Sequence, residues 1–265
     1  MALSAVGLKF VFHEGAPLLT KAPTPALGEH DVHVWQCWLN DYPESELLRL
    51  EKFLSADEKE RVARFRFEKN RNEFTLSRGW LRMLLGQYLG VSPAELAFTY
   101  SAYGKPAIGV PAMASLHFNM SHTDGMAVFG FTWNRRVGID IEKPRENVKV
   151  EELAERFFSV AEKQALREVP PENRREAFFR CWTRKEAYIK AIGEGLSHPL
   201  HQFDVSLAPG ELRALLCARP DASEASRWVL RDVPITPGYI SAVAVEVDPS
   251  LGSTIAGQSP DAATR

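Results

Sequence analysis

Val137-Gly138-Ile139-Asp140-Ile141-Glu142 is the stretch on which the reading of this chain turns. Side chains alternate across a strand. Val137, Ile139 and Ile141 therefore predict a buried side, and Asp140 and Glu142 share the other. Neighbouring carboxylates repel unless a cation or a proton sits between them. The pair also suits the wet face of a half-exposed hairpin, so a second stretch has to decide. That stretch is Trp182-Thr183-Arg184-Lys185-Glu186-Ala187-Tyr188-Ile189-Lys190. It predicts a helix on which Glu186 and Lys190, four residues apart, are neighbours. Alone, it fits a solvated ion pair. Two features count against that: the charges sit among Phe178, Phe179, Trp182, Tyr188 and Ile189, and the helix runs into Gly193-Glu194-Gly195, where a backbone or ligand can approach closely. A third carboxylate and two lysines brought to the first pair would make a site for a divalent metal and a polyphosphate.

Outward from these stretches, the pattern alternates helix and strand signals. Residues 14–29 read as an irregular lead-in and Asp31–Leu39 as a strand. Glu44–Phe53 reads as a helix. Ser55 with Glu58, and Ser159 with Glu162, have the spacing of capping boxes. A helix through about Arg66 follows the first box, then one from about Asn70 to Leu89 with Leu76, Trp80, Met83, Leu84 and Tyr88 on its apolar face. Short strands at 95–100 and 116–120 precede turns at 103–106 and 121–125. Met126–Thr132 and Arg136–Glu142 predict a hairpin around Trp133-Asn134-Arg135. Helices are expected over 150–158, after Ser159, and over 172–192, the last stopped by Gly193. Strands are expected at 203–207, 228–231 and 239–247. No strict internal repeat is visible. A boundary near 135–137 divides the chain into 1–135 and 136–248, with 249–265 expected to be a disordered tail.

The bulk properties narrow the classes. The chain has 265 residues and a formal net charge of -2, so no global basic field favours nucleic acid. Cys37, Cys181 and Cys217 are too scattered for a disulfide framework or a structural zinc site. They read as small apolar side chains in a reducing cytoplasm. Residues 1–12 lack the pattern of a signal peptide, and no apolar run reaches the roughly 18 residues that span a bilayer.

Several further residues are candidates for anion contacts. Ser121 and His122 follow a strand and precede a glycine. They fit local turn bonding or donors to a phosphate, and the absence of Gly-x-Ser-x-Gly argues against a hydrolase nucleophile. Lys105, in Gly104-Lys105-Pro106, could act as a point charge. Arg78 could supply a forked donor, or lie on a helix surface.

In order, Gly104-Lys105-Pro106, Phe118-Asn119-Met120-Ser121-His122, Gly138-Ile139-Asp140-Ile141-Glu142, Phe157-Phe158-Ser159 and Trp182–Lys190 followed by Gly193 and Gly195-Leu196-Ser197 resemble the Sfp-type 4′-phosphopantetheinyl transferases. The likeness runs from about residue 55 to 207. It implies a pseudo-twofold α+β fold of two similar halves with the active site between them. It also implies CoA as substrate, Mg2+ as cofactor, an apo acyl or peptidyl carrier protein as acceptor, and a monomer as sufficient. By motif position, Asp140 and Glu142 would bind Mg2+. Glu186 would be a third ligand, the base, or both, and Lys190 would meet the reacting phosphate. Lys105, Ser121, His122, Lys185 and Arg78 would hold the CoA phosphates. Arg156, Phe157 and Phe158 would meet the carrier, although the phenylalanines also suit a core. The chain departs from the pattern at Phe98-Thr99-Tyr100-Ser101-Ala102, which has no basic residue before Gly104. Two lysines of some members are also not clearly matched near Glu58 and Arg61. Two rival readings use the same charges: a metal-dependent nuclease or phosphohydrolase, and a non-catalytic module binding CoA or a carrier.

Overall fold

Two capping boxes start the helical layers. The carboxylate of Glu58 accepts from the backbone N–H of Ser55, and that of Glu162 from Ser159, satisfying donors that a helix start leaves open. The computed structural model describes residues 8–14, 25–40, 42–110, 115–211 and 213–247. Its strands and helices, in chain order, are β1 (Lys9–Glu14), β2 (Asp31–Trp38), α1 (Glu44–Glu51), α2 (Ala56–Arg64), α3 (Glu68–Leu89), β3 (Ala97–Tyr100), β4 (Pro106–Val110), β5 (Leu116–Thr123), β6 (Met126–Trp133) and β7 (Val137–Glu142). They continue with α4 (Val150–Phe157), α5 (Val160–Glu168), α6 (Arg174–Ile192), β8 (Phe203–Val205), β9 (Leu215–Ala218), β10 (Trp228–Asp232) and β11 (Ile240–Glu246). The fold is α+β. Most of the 14–29 lead-in and the expected tail lie outside the described residues.

One sheet has the order β1-β2-β6-β5 and another the order β10-β11-β7, with β3–β4 and β8–β9 as small ribbons. The strand order β2-β6-β5 thus recurs as β7-β11-β10, and the helices α1–α3 recur as α4–α6. Val32, Val34, Met126 and Val128 of the first sheet pack against Val137, Ile139, Ile141 and Val243 of the second. The outer face of the first sheet, with Trp35, Cys37, Phe129 and Phe131, buries the apolar stripe of α3. Ala242, Ala244, Trp228 and Leu230 of the second sheet do the same for α6. Both long helices stop at a left-handed glycine, Gly90 (φ 67°) and Gly193 (φ 85°), the conformation that favours this residue at a helix end.

The recurrence extends to a buried polar lock that sequence inspection does not pick out as a repeat. In the first half, Glu58 Oε2 accepts from Arg82 Nε at 2.6 Å, and Arg82 also donates to the carbonyls of Pro93 and Leu96. In the second, Glu162 Oε1 pairs with Lys185 Nζ at 2.7 Å, and Lys185 donates to the carbonyls of Leu200 and Phe203. A capping-box glutamate, a cation of the long helix and two carbonyls three residues apart make the same joint twice.

Two expectations are corrected. β6 and β7 do not form a hairpin: β6 lies between β2 and β5, while β7 pairs with β11. The 133–136 connection carries the chain from one sheet to the other. Ser121 and His122 lie on β5 itself, and the turn is Asp124-Gly125, with φ of 40° and 78°. Strands β1, β4 and β9 were not anticipated. Among the described residues, no helix is long and apolar enough to cross a membrane.

Candidate active site

The free edges of β5 and β7 meet where the two sheets adjoin. Asn119 Oδ1 on β5 accepts from the backbone N–H of Ile139 at 2.9 Å, and Ser121 Oγ donates to Asp140 Oδ1 at 2.9 Å. On its other side β7 lies flat against α6. Gly138 makes this possible, because a Cβ there would overlap backbone atoms of Ala187 and Ala191. Gly138, Asp140 and Glu142 share a strand face, so the contact at 138 turns both carboxylates toward the helix carrying Glu186 and Lys190. Lys190 Nζ lies 2.5 Å from Asp140 Oδ1 and 3.0 Å from Ser121 Oγ.

The electrostatics report the same convergence. Burial, then the Asp140 charge, push the Glu142 carboxyl up to about 7, with Glu186 adding to the rise. Glu186 is also pushed up to about 7, first by burial and then by Asp140. Three carboxylates separated in the sequence therefore repel one another across one cleft, opposed by the Lys190 ammonium. The buried Oδ2 of Asp140 has no hydrogen-bond partner. Among the described residues, no group of three or more His, Cys, Asp or Glu could by itself hold a metal ion. Mg2+ does not require a closed cage: it takes one or two carboxylates and fills its remaining positions with water and phosphate oxygens. An orphaned carboxylate oxygen beside two more carboxylates fits that open mode.

His122, next in the chain to Ser121, lines a cavity of about 280 Å³ together with Asp57, Glu58, Arg61, Phe74, Arg78, Tyr100 and Gly104 among others. His122 is drawn toward its neutral form by burial. Arg78 is held in place by Glu58 at 2.7 Å and by the Tyr100 hydroxyl at 3.3 Å, and it lies over the ring of Phe98. Arg61, exposed and stacked over Phe74 at 5.1 Å, was not singled out in the sequence. Its signals were its place on a helix bearing the Ser55–Glu58 box and the family lysines left unmatched near Glu58 and Arg61. Together Arg61 and Arg78 put basic groups where the missing residue before Gly104 would leave a gap.

Two expected phosphate contacts are not where the motif suggests. Lys185 is completely buried, pairs with Glu162 and gives its ammonium protons to two backbone carbonyls. It belongs to the joint between α6 and the segment leading into β8. Lys105 points its ammonium at the carbonyls of Val137 (3.1 Å) and Ala191 (2.9 Å), while Gly104 and Pro106 line the cavity. Arg78, Ser121, His122, Asp140, Glu142, Glu186 and Lys190 remain on the cleft side. Phe158 is core, stacked on Phe178. Phe157 is half-buried against Trp182, and Arg156 lies over it, exposed.

Residues 136–244 match the model of the 4′-phosphopantetheinyl transferase superfamily, and residues 38–131 match that of the 4′-phosphopantetheinyl transferase N-terminal region. The chain is 40% identical over 228 residues to the 4′-phosphopantetheinyl transferase HetI of Nostoc sp. strain PCC 7120, covering 86% of this chain and 92% of that one. It is 31% identical over 196 residues to the 4′-phosphopantetheinyl transferase Sfp of Bacillus subtilis strain 168, covering 74% of this chain and 83% of that one. This chain belongs to the 4′-phosphopantetheinyl transferase family.

Proposed function

We propose that the protein transfers the 4′-phosphopantetheine arm of CoA to a serine hydroxyl of an apo carrier protein, releasing adenosine 3′,5′-bisphosphate. The observation that carries this reading is the meeting of Asp140, Glu142, Glu186 and Lys190, with Arg61, Arg78 and His122 on the wall of a cavity that begins one residue beyond Ser121. A module that only binds CoA or a carrier has no need of such a set. A nuclease would need a basic track for its substrate, which a chain of net charge -2 does not advertise.

The cavity with Arg61, Arg78 and His122 takes the adenosine and phosphate portion, with guanidinium groups suited to phosphate oxygens. Asp140 and Glu142, with Glu186 beside them, would hold Mg2+, which supplies charge neutralisation to the pyrophosphate when bound. The carrier serine oxygen attacks the β-phosphorus, and the bond to the bridging oxygen breaks. Glu186 takes the serine proton. Lys190 lies one turn further along the same helix face and stabilises the charge gathering on the departing phosphate. Such a step depends on alignment and charge more than on covalent help. Exposed Arg156, over Phe157, offers an acidic carrier a cation beside an apolar ring.

Incubation with CoA, Mg2+ and a panel of apo carrier proteins tests the reading. Mass spectrometry should show the carrier gaining the phosphopantetheine arm, with the gain lost in EDTA and restored by excess Mg2+. CoA binding with every carrier left unmodified would overturn it.

A further inference from the structure

The Gly104-Lys105-Pro106 turn belongs to the first half of the chain, yet its lysine side chain leaves that half. The ammonium donates to the carbonyl of Val137, the first residue of β7, and to that of Ala191, in the last turn of α6. Carbonyls in a last helical turn lack intrahelical partners and carry the negative end of the helix dipole, so a cation is favoured there. The stem crosses the helix stop: a Cβ on Gly193 would stand 3.3 Å from Lys105 Cδ. The turn is closed internally. Ser101 N–H donates to Lys105 O at 2.9 Å, Gly104 N–H to Ser101 O at 2.9 Å, and Lys105 N–H to Ser101 Oγ at 3.1 Å. A tie at Lys105 therefore also fixes Gly104 and Pro106, which wall the cavity beside His122 and Arg78. The two carbonyls it grips are three residues before Asp140 and one residue after Lys190.

We propose that Lys105 is a positioning residue: its ammonium registers the cavity wall of the first half against the two elements of the second half that carry Asp140 and Lys190, and it does not touch the phosphates of CoA. This rests on the transferase reading above for its kinetic consequence, but not for its structural one. With the wall untied, CoA still enters the cavity of Arg61 and Arg78, while its pyrophosphate is less well aligned with Asp140 and Lys190. The loss therefore falls on turnover more than on electrostatic capture.

The test uses the full chain with CoA, Mg2+ and an accepted apo carrier. Lys105→Met keeps the stem and removes the donors. It should lower kcat about 10-fold or more, the scale of losing hydrogen bonds from a charged group. The KM for carrier and the slope of CoA KM against salt should stay as in the parent. Lys105→Arg, which can still donate to both carbonyls, should recover most of the rate. Hydrogen exchange should rise at 101–108 and 190–193 in Lys105→Met alone. Should Lys105→Met fail to fold by circular dichroism, Lys105→Gln is read in the same way. A shallower salt slope with kcat unchanged would make Lys105 a phosphate contact and overturn the proposal. Unaltered exchange at both segments would also overturn it, even if the parent chain transfers nothing. Absence of transfer by the parent chain with the exchange change present would instead count against the transferase reading.

Discussion

Gly138 of β7 and Ala187 of α6 are packed backbone to backbone, with no room for a β-carbon between them. This contact links a strand pattern to the geometry of the proposed active site. The strand's alternation puts Asp140 and Glu142 on the face of Gly138, and the close approach at 138 brings that face to Glu186 and Lys190.

Gly138→Ala should therefore damage both fold and site. The atoms that the new methyl meets are main chain of Ala187 and Ala191, which cannot swing away. Overpacking typically costs about 1–3 kcal/mol, and a rigid neighbour places this case at the upper end. A fall in Tm of about 6–12 °C is expected from ~3 kcal/mol in a chain of this size. Transfer should be lost in the protein that remains folded. Thermal unfolding by circular dichroism and transfer assayed well below Tm check the two parts separately.

The cleft residues should lose rate without losing fold. Asp140→Asn, Glu186→Gln and Lys190→Ala should each lower kcat by about 10² or more, the usual scale for positioned acid–base and electrostatic groups. Ser121→Ala removes a hydroxyl 2.9 Å from Asp140 and 3.0 Å from Lys190, and should cost less, about 10-fold. Single-turnover transfer with saturating CoA is the measurement. Glu186→Gln at parental rate would remove Glu186 from the proton-transfer role.

What could be read in advance follows from the range of each interaction. The capping boxes, the glycine stops and the facing of Asp140 with Glu142 are set within a few residues, and they lie where the pattern put them. The expected β6–β7 hairpin did not form because β7 finds its partner at Ile240–Glu246, about a hundred residues on, and no local signal encodes that choice. The surroundings of Lys185 and Lys105 were out of reach for the same reason: the carbonyls of Leu200, Phe203, Val137 and Ala191 that their ammonium groups meet are brought there by the fold. The repeat was hidden because what recurs is strand order, helix stops and a polar joint rather than a run of residues, and the cation of that joint changes from Arg82 with Glu58 to Lys185 with Glu162.

That joint gives a third prediction. Lys185→Ala leaves the Glu162 carboxylate buried without its cation, and breaking one side of a buried pair costs about 3–5 kcal/mol. Urea unfolding should show that loss, with the soluble yield falling. Glu162→Gln with Lys185→Met removes both charges and should recover part of it. If Lys185→Ala instead kept full stability and raised the KM for CoA, the lysine would be a substrate contact after all.

Acid should loosen the second half through Glu246. Hydrogen bonds from Arg136 hold its carboxyl down to about 2, with Arg227 contributing. The unfolded value is about 4.3. A carboxyl depressed on folding stabilises the native state above the unfolded pKa, and that contribution drains away as pH falls from about 4 to about 2. Glu246→Gln should thus be less stable than the parent at pH 7, and the gap should narrow as pH is lowered through that window. Because the groups are partly exposed, screening keeps the gap small, and raising salt should shrink it at pH 7. Urea midpoints for both proteins at pH 7, 4 and 3 measure it. A gap that stayed constant over this range would mean that the Arg136–Glu246 pair, joining the start of β7 to the end of β11, does not hold the second sheet together.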